Sequence, residues 1–167
     1  MNDRPPAPGG LALIEALVNT LDVESGADSL ETREALARFA LTPQDVPAAR
    51  VLREALREAC LAHAGHGTST ALDALLADAP LRVTVSPSGE AALRPSGPTT
   101  LLTRVAEAVA AGAADGTWLR LKACEAEDCQ WAYYDRSPAA RSRWCSMAVC
   151  GARTKMRTYR ARRAGAE

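Results

Sequence analysis

Residues 118–163 read WLRLKACEAEDCQWAYYDRSPAARSRWCSMAVCGARTKMRTYRARR, and the cysteines decide how this third of the chain folds. Cys124 and Cys129 form one pair and Cys145 and Cys150 a second; each pair brackets four residues, and fifteen residues separate the pairs. Two short knuckles presenting two thiolates each to one tetrahedral ion have this layout, so the spacing predicts a single structural Zn2+. Disulfides and an iron–sulfur cluster are the alternatives for the same thiols. If zinc is held by four cysteines, no position is open for water or substrate, and its binding free energy is folding energy for the module.

Toward the C-terminus the charge is one-sided. Between Arg136 and Arg163 there are nine basic residues and no acidic one. A helix is expected from about Ala152 to Arg163. Arg153, Arg157 and Arg160 fall at i, i+4 and i+7 as one basic stripe. Met156, Tyr159 and Arg163 form another, expected to pack partly on the zinc core. Lys155 and Arg162 extend the positive surface. Lys122, Arg141, Arg143 and Arg153 are the cations expected to offset the roughly −2 charge of a tetrathiolate zinc site, and Cys150 is placed at or just before a helix N-terminus. Trp118 to Lys122 reads as an extended lead-in. Trp131 and Tyr133 would share one strand face and cover the metal; with Trp118 and Trp144 they read as core fillers rather than base-stacking platforms. Arginine forks onto phosphate or onto guanine O6 and N7. Nucleic acid is therefore the first partner to consider, an acidic protein surface the second, and a merely solvated tail the plain reading.

Toward the N-terminus the text is mostly helical. Residues 1–9 read as a disordered lead-in. Leu13, Ile14, Leu17, Val18 and Leu21 recur at helical spacing, and Asp22 to Asp28 is a loop. A second helix is expected over about Leu30 to Ala40, capped by Asp28 or Ser29, with Glu31 in its first turn. A third runs from about Val46 to Ala64; Val51, Leu52, Ala55, Leu56, Ala59 and Cys60 mark its buried stripe, and Arg53, Glu54, Arg57 and Glu58 are expected to face water. Gly65-His66-Gly67 ends it, with His63 and His66 capping or simply exposed. A short helix fits Thr70 to Ala77. Leu81, Val83 and Val85 then alternate with polar residues as a half-buried strand, and Glu90 to Arg94 pairs back as a hairpin. Thr100 to Ala114 is a further helix with Leu101, Leu102, Val105 and Val109 inward, closed by Gly116 in a left-handed turn.

The 167 residues allow one ordinary domain, or one domain and a stapled module. Their formal net charge is zero, but residues 1–120 hold 10 basic and 15 acidic side chains while residues 121–167 hold 10 and 5. An acidic body and a basic module are expected to do different jobs. No signal peptide is read at the start and no apolar run reaches the ~18 residues of a membrane span, so the chain is expected in the cytoplasm, where thiols stay reduced and zinc is favoured over disulfides. Abundant Ala and Arg with Lys only at 122 and 155 point to a GC-rich, bacterial genome. Cys60 reads as a small buried hydrophobe. Asn19 and Thr20 are candidates for pocket lining or, more simply, for a buried hydrogen bond. No Ser-His-Asp grouping, phosphate loop or open metal site appears, so no enzyme is expected.

The C-terminal stretch resembles the CGNR zinc finger. The residues that carry the likeness are the two cysteine pairs with Trp131, Tyr133, Asp135, Arg143, Trp144, Ser146, Met147, Gly151, Arg153, Tyr159 and Arg160. Ala152 stands where that signature has Asn: if the Asn orders the knuckle, Gly151 is expected to make the turn by itself, and if it reads a base, that contact is lost or changed here. The preceding body is similar to ABATE, the domain usually found in front of that finger, with Val18-Asn19-Thr20 in its opening helix. The resemblance implies a stress-induced transcription regulator that binds DNA.

The expected fold is α+β: a mostly helical body with a small β-hairpin (10–117), then a small four-cysteine zinc-finger module ending in a basic helix (118–163) and a short tail (164–167). DNA would be met by Arg141, Arg143, Arg153, Lys155, Arg157, Arg160 and Arg162. A protein-interaction adaptor docking an acidic partner is the alternative, and RNA binding is a variant of the first reading. The body would sense a small-molecule effector or form a homodimer.

Overall fold

The computed structural model describes residues 4–164, of which Ala164 is described by its backbone alone; the N-terminal end of the expected lead-in and residues 165–167 of the expected tail lie outside the described residues. Helix α1 (Leu11–Val18) buries Leu11, Ile14, Leu17 and Val18. It starts beside α5 (Leu101–Ala114), and a Cβ on Gly10 would come within 2.8 Å of Ala108 Cβ. Only glycine permits that approach of the two backbones.

Helix α2 spans Arg33–Phe39, shorter than expected at both ends. Its cap is Thr32, whose hydroxyl accepts from Ala35 N at 3.2 Å, and Glu34 takes the first-turn acidic position. Asp28 and Glu31 are not helix-start residues: both face Arg50. Helix α3 (Val46–His63) follows a 3₁₀ turn in which the Asp45 carboxylate accepts from Thr42 N and Oγ1. Its stripe is rotated from the expected one. Val51 is 57% exposed, while Arg53 and Arg57 are each only 4% exposed. The periodicity shifted because both guanidiniums have carbonyls and carboxylates to meet inside the fold.

Helix α4 (Ala71–Leu76) leads to the antiparallel pair β1 (Leu81–Val85) and β2 (Ala91–Pro95), in register from Leu81↔Pro95 to Val85↔Ala91. This hairpin departs from the half-buried pattern, since Val83 and Val85 are 68% and 66% exposed. In α5, Leu101 and Val105 are buried as expected, but Leu102 and Val109 are only partly so. Gly116 takes φ +75°, the left-handed turn that ends the helix.

Trp118–Arg120 is a 3₁₀ turn rather than an extended lead-in, and strand β3 begins only at Leu121. β3 (Leu121–Ala123) and β4 (Ala132–Tyr134) pair antiparallel. Alternation gives this hairpin two faces. Leu121, Ala123, Ala132 and Tyr134 join the core of the body with Ile14, Leu17, Phe39 and Leu56. Tyr133 points the other way, into a small cluster with Cys124, Ala126, Cys145 and Cys150. The sequence division at 117/118 is therefore not a break in packing. Nor are residues 4–9 a free lead-in: Arg136 donates to the carbonyls of Pro5 and Pro6, Arg4 donates to Trp144 O at 3.2 Å, and Ala7 is buried.

Candidate metal centre and basic helix

Each cysteine is placed by a short local device. Cys124 directly follows β3, and its N–H donates to Trp131 O at 3.0 Å. Cys129 closes a turn onto Ala126 O at 2.9 Å. Cys150 lies within a single π turn, Met147–Gly151, capped by Ser146 Oγ accepting from Val149 N. Glu125 N donates to Arg143 O, which ties the first knuckle to the second. All four sulfurs lie within 4.8 Å of one another, with Cys129–Cys145 at 3.7 Å and Cys145–Cys150 at 3.8 Å. Four sulfurs at the usual Zn–S length of about 2.3 Å stand about 3.8 Å apart on a tetrahedron, whereas a disulfide needs about 2.05 Å. The cluster fits a single structural zinc ion.

The chemistry of the donor set agrees. The thiols of Cys129 and Cys145 donate toward Cys124 and hold it down at about 2. The same interaction pushes Cys129 up to about 12 and Cys145 further still, and burial raises Cys150. Four sulfurs this close accommodate one negative charge among themselves, and a divalent cation is what permits all four to ionise. Backbone N–H groups of Cys145 and Ala126 point at the Cys124 sulfur, and that of Trp131 at Cys129. Amides therefore take the place of two of the expected cations. Lys122 Nζ is spent on Asp135 Oδ2 (3.1 Å) and Ala140 O (2.5 Å), and Arg143 forks onto Glu125. Asp135 has no exposed surface; burial pulls its carboxyl upward, but hydrogen bonds from Ser137 and Ser142 outweigh this and hold it well below the usual range. Tyr133 Oη donates to Ser142 O at 2.6 Å, so its ring and Trp131 pack on the cysteine cluster as expected.

The body holds this centre through polar contacts at the end of α1 and along α3. Asn19 Nδ2 donates to Ala132 O at 2.9 Å and its Oδ1 accepts from Ala132 N at 2.7 Å. The side-chain amide thus pairs with β4 as a third strand would. Arg57 donates to Val18 O (2.8 Å) and Gln130 O (3.0 Å), and Arg53 reaches Thr20 Oγ1 and Asp28. His63 is neither a cap nor free: Nδ1 lies 2.8 Å from Leu121 O, its ring meets Trp118 edge-on, and burial lowers its pKa. Asn19 and Thr20 also line a cleft of about 450 Å³ to which Trp131 contributes. Cys60 is fully buried and its thiol is pushed up to about 12 by burial.

Residues 11–116 match the family model ABATE, described as "Putative stress-induced transcription regulator", and residues 120–163 match the model of the CGNR zinc finger. The chain belongs to the ABATE family. No curated protein matches it.

In the CGNR finger, Gly151 has an ordinary φ and does not make a left-handed turn; a Cβ there would sit 3.2 Å from Sδ of Met147, an exposed side chain that would have to shift by a few tenths of an ångström. Ala152, in place of the signature Asn, is an exposed right-handed helical residue opening α6 (Ala152–Ala164). From Lys155 to Arg163 every α6 side chain is exposed, so Met156 and Tyr159 do not pack on the zinc core. The seven expected DNA contacts divide. Arg143 pairs with Glu125 and stacks over Trp144. Arg153 pairs with Glu24 and Asp128, and Arg157 with Asp128. Among the described residues, Arg141, Lys155, Arg160 and Arg162 have no carboxylate partner. The sequence reading missed Asp128 and Glu24 as partners. The available signal was Asp128 itself, a carboxylate between two metal ligands.

Proposed function

We propose that this protein is a cytoplasmic, zinc-dependent DNA-binding transcription regulator of the stress response, with no catalytic activity. In this reading Cys124, Cys129, Cys145 and Cys150 hold one structural zinc, and the basic helix mounted on Cys150 meets DNA. The observation that carries it is α6: a helix exposed from Lys155 to Arg163, bearing Lys155, Arg157, Arg160, Arg162 and Arg163 and no acidic residue, leaving directly from the second knuckle. Such a surface gains affinity for a polyanion by releasing its counterions. The ABATE body, with its cleft against Trp131, takes the sensing role, and a small-molecule effector would bind there. Fluorescence anisotropy of the zinc-loaded protein on labelled genomic duplexes tests the reading. Binding should weaken steeply between 50 and 200 mM salt, roughly a thousandfold if about six phosphates are met. Binding that is absent, or indifferent to salt, refutes it.

Docking onto an acidic protein partner is the second reading. It is favoured by Met147, Val149, Met156 and Tyr159, which are exposed beside the same cations. Capture of a partner that is lost on truncating α6, with no DNA binding, would select it.

A further inference from the structure

The division of labour within α6 rests on the DNA reading above. Nothing apolar fixes the direction of the helix beyond its first turn, because its side chains from Lys155 to Arg163 are exposed. Among the described residues its ion pairs to the rest of the protein are Arg153 Nη1 to Glu24 Oε1 (3.0 Å) and Asp128 Oδ2 (3.3 Å), and Arg157 Nη1 to Asp128 Oδ2 (3.3 Å). Asp128 belongs to the first knuckle and Glu24 to the 22–28 loop of the body, so these contacts tie the helix to both. The side-chain hydrogen bonds of Asp128 run through Oδ2 to the two arginines, while its Oδ1 is buried without a partner among the described residues.

At about 100° per residue, Lys155, Tyr159 and Arg162 share one face, roughly 120–180° around the helix from Arg153 and Arg157. Lys155 and Arg162 have no carboxylate partner among the described residues. The Tyr159 ring between them is 55% exposed. We infer that α6 has two working faces: Arg153 and Arg157 are positioning residues that aim the helix through Asp128 and Glu24, and the stripe Lys155–Tyr159–Arg162 is the surface that meets duplex DNA. A helix of 13 residues is about 20 Å long and fits a major groove about 12 Å wide. There the two cations reach phosphates, and the ring meets sugar and base edges. Lys155 and Arg162 exchange only water for phosphate, whereas Arg153 and Arg157 would first have to leave a carboxylate.

The test is the salt dependence of duplex binding by the full-length zinc-loaded protein, with zinc content and circular dichroism as fold controls. K155Q/R162Q should lower the slope of log K against log salt by about 1.8, making the loss of affinity between 50 and 200 mM salt about 12-fold smaller than in the wild type. R153Q/R157Q should keep the wild-type slope within about 0.5 and weaken binding only about 3–10-fold, through a less well-aimed helix. D128N should reproduce R153Q/R157Q. The assignment is overturned if R153Q/R157Q loses the slope, if it alters neither slope nor affinity, or if D128N tightens binding because it frees arginines for phosphate. A wild-type protein without salt-dependent binding overturns the DNA reading itself, a result distinct from all of these.

Discussion

Replacing Asn19 by alanine removes one short side chain and strands two backbone groups. Ala132 is fully buried, and its N–H and C=O on this edge of β4 are both met by the Asn19 amide, at 2.7 and 2.9 Å. A buried polar group left without a partner costs about 1–3 kcal/mol. Asn19 itself is only partly buried and lines the cleft, so the lower half of that range applies to each group. The sum is about 3 kcal/mol. For a chain of this length that lowers the melting temperature by about 6–12 °C. Thermal unfolding of the zinc-loaded protein, followed by tryptophan fluorescence and circular dichroism, reads the shift. Trp131 directly precedes the anchored strand, so the fluorescence transition should move with the whole. Asn19→Asp sharpens the test. It keeps the volume and the acceptor for Ala132 N–H, but loses the donor and sets a carboxylate oxygen against Ala132 O. It should therefore also be destabilised, which an argument from volume would not give. An Asn19→Ala protein that binds zinc and melts within about 1 °C of wild type would refute the idea that this amide anchors the finger to the body.

Zinc affinity should rise with pH, because the apo cluster holds most of its protons at neutral pH: Cys129 is pushed up to about 12, and Cys145 and Cys150 are raised as well. Loading must expel roughly three protons, so chelator competition at pH 6, 7 and 8 should show a steep fall toward acid, and a flat profile would contradict the donor set. Arg57→Ala should cost about 2–4 kcal/mol in urea unfolding, since it leaves the carbonyls of Val18 and Gln130 without their charged donor, while Val51→Ala on the exposed side of α3 should stay within about 0.5 kcal/mol. Equal losses would return α3 to the orientation its periodicity suggests. Restoring the signature residue with Ala152→Asn should change stability by less than about 0.5 kcal/mol, because the site is an exposed helical residue. A gain above about 1 kcal/mol would show that the Asn braces the knuckle.

Much of this architecture is legible in the text. The cysteine spacing names the zinc site because four sulfurs at fixed short intervals have few ways to converge. The long α3 and α5 declare themselves through period, and Gly116 through the left-handed turn only glycine makes easily. The legible features are local: ligand spacing, helical period, turn chemistry, and the run of cations after Arg136. Arg53 and Arg57 look like solvent residues because charge normally seeks water. Only the folded chain brings Asp28, Thr20, Val18 O and Gln130 O to meet them. The same holds for Asn19, which pairs with a strand that lies 113 residues further along. Arg153 and Arg157 look identical in kind to Lys155 and Arg162 until Glu24 and Asp128 are placed beside one pair and not the other. Sequence by itself therefore determined the zinc site, the order of the elements and the basic end of the chain. The tertiary structure alone decided which charges are spent inside the protein and which remain outward, because an ion pair depends on distance through space and the text records only distance along the chain.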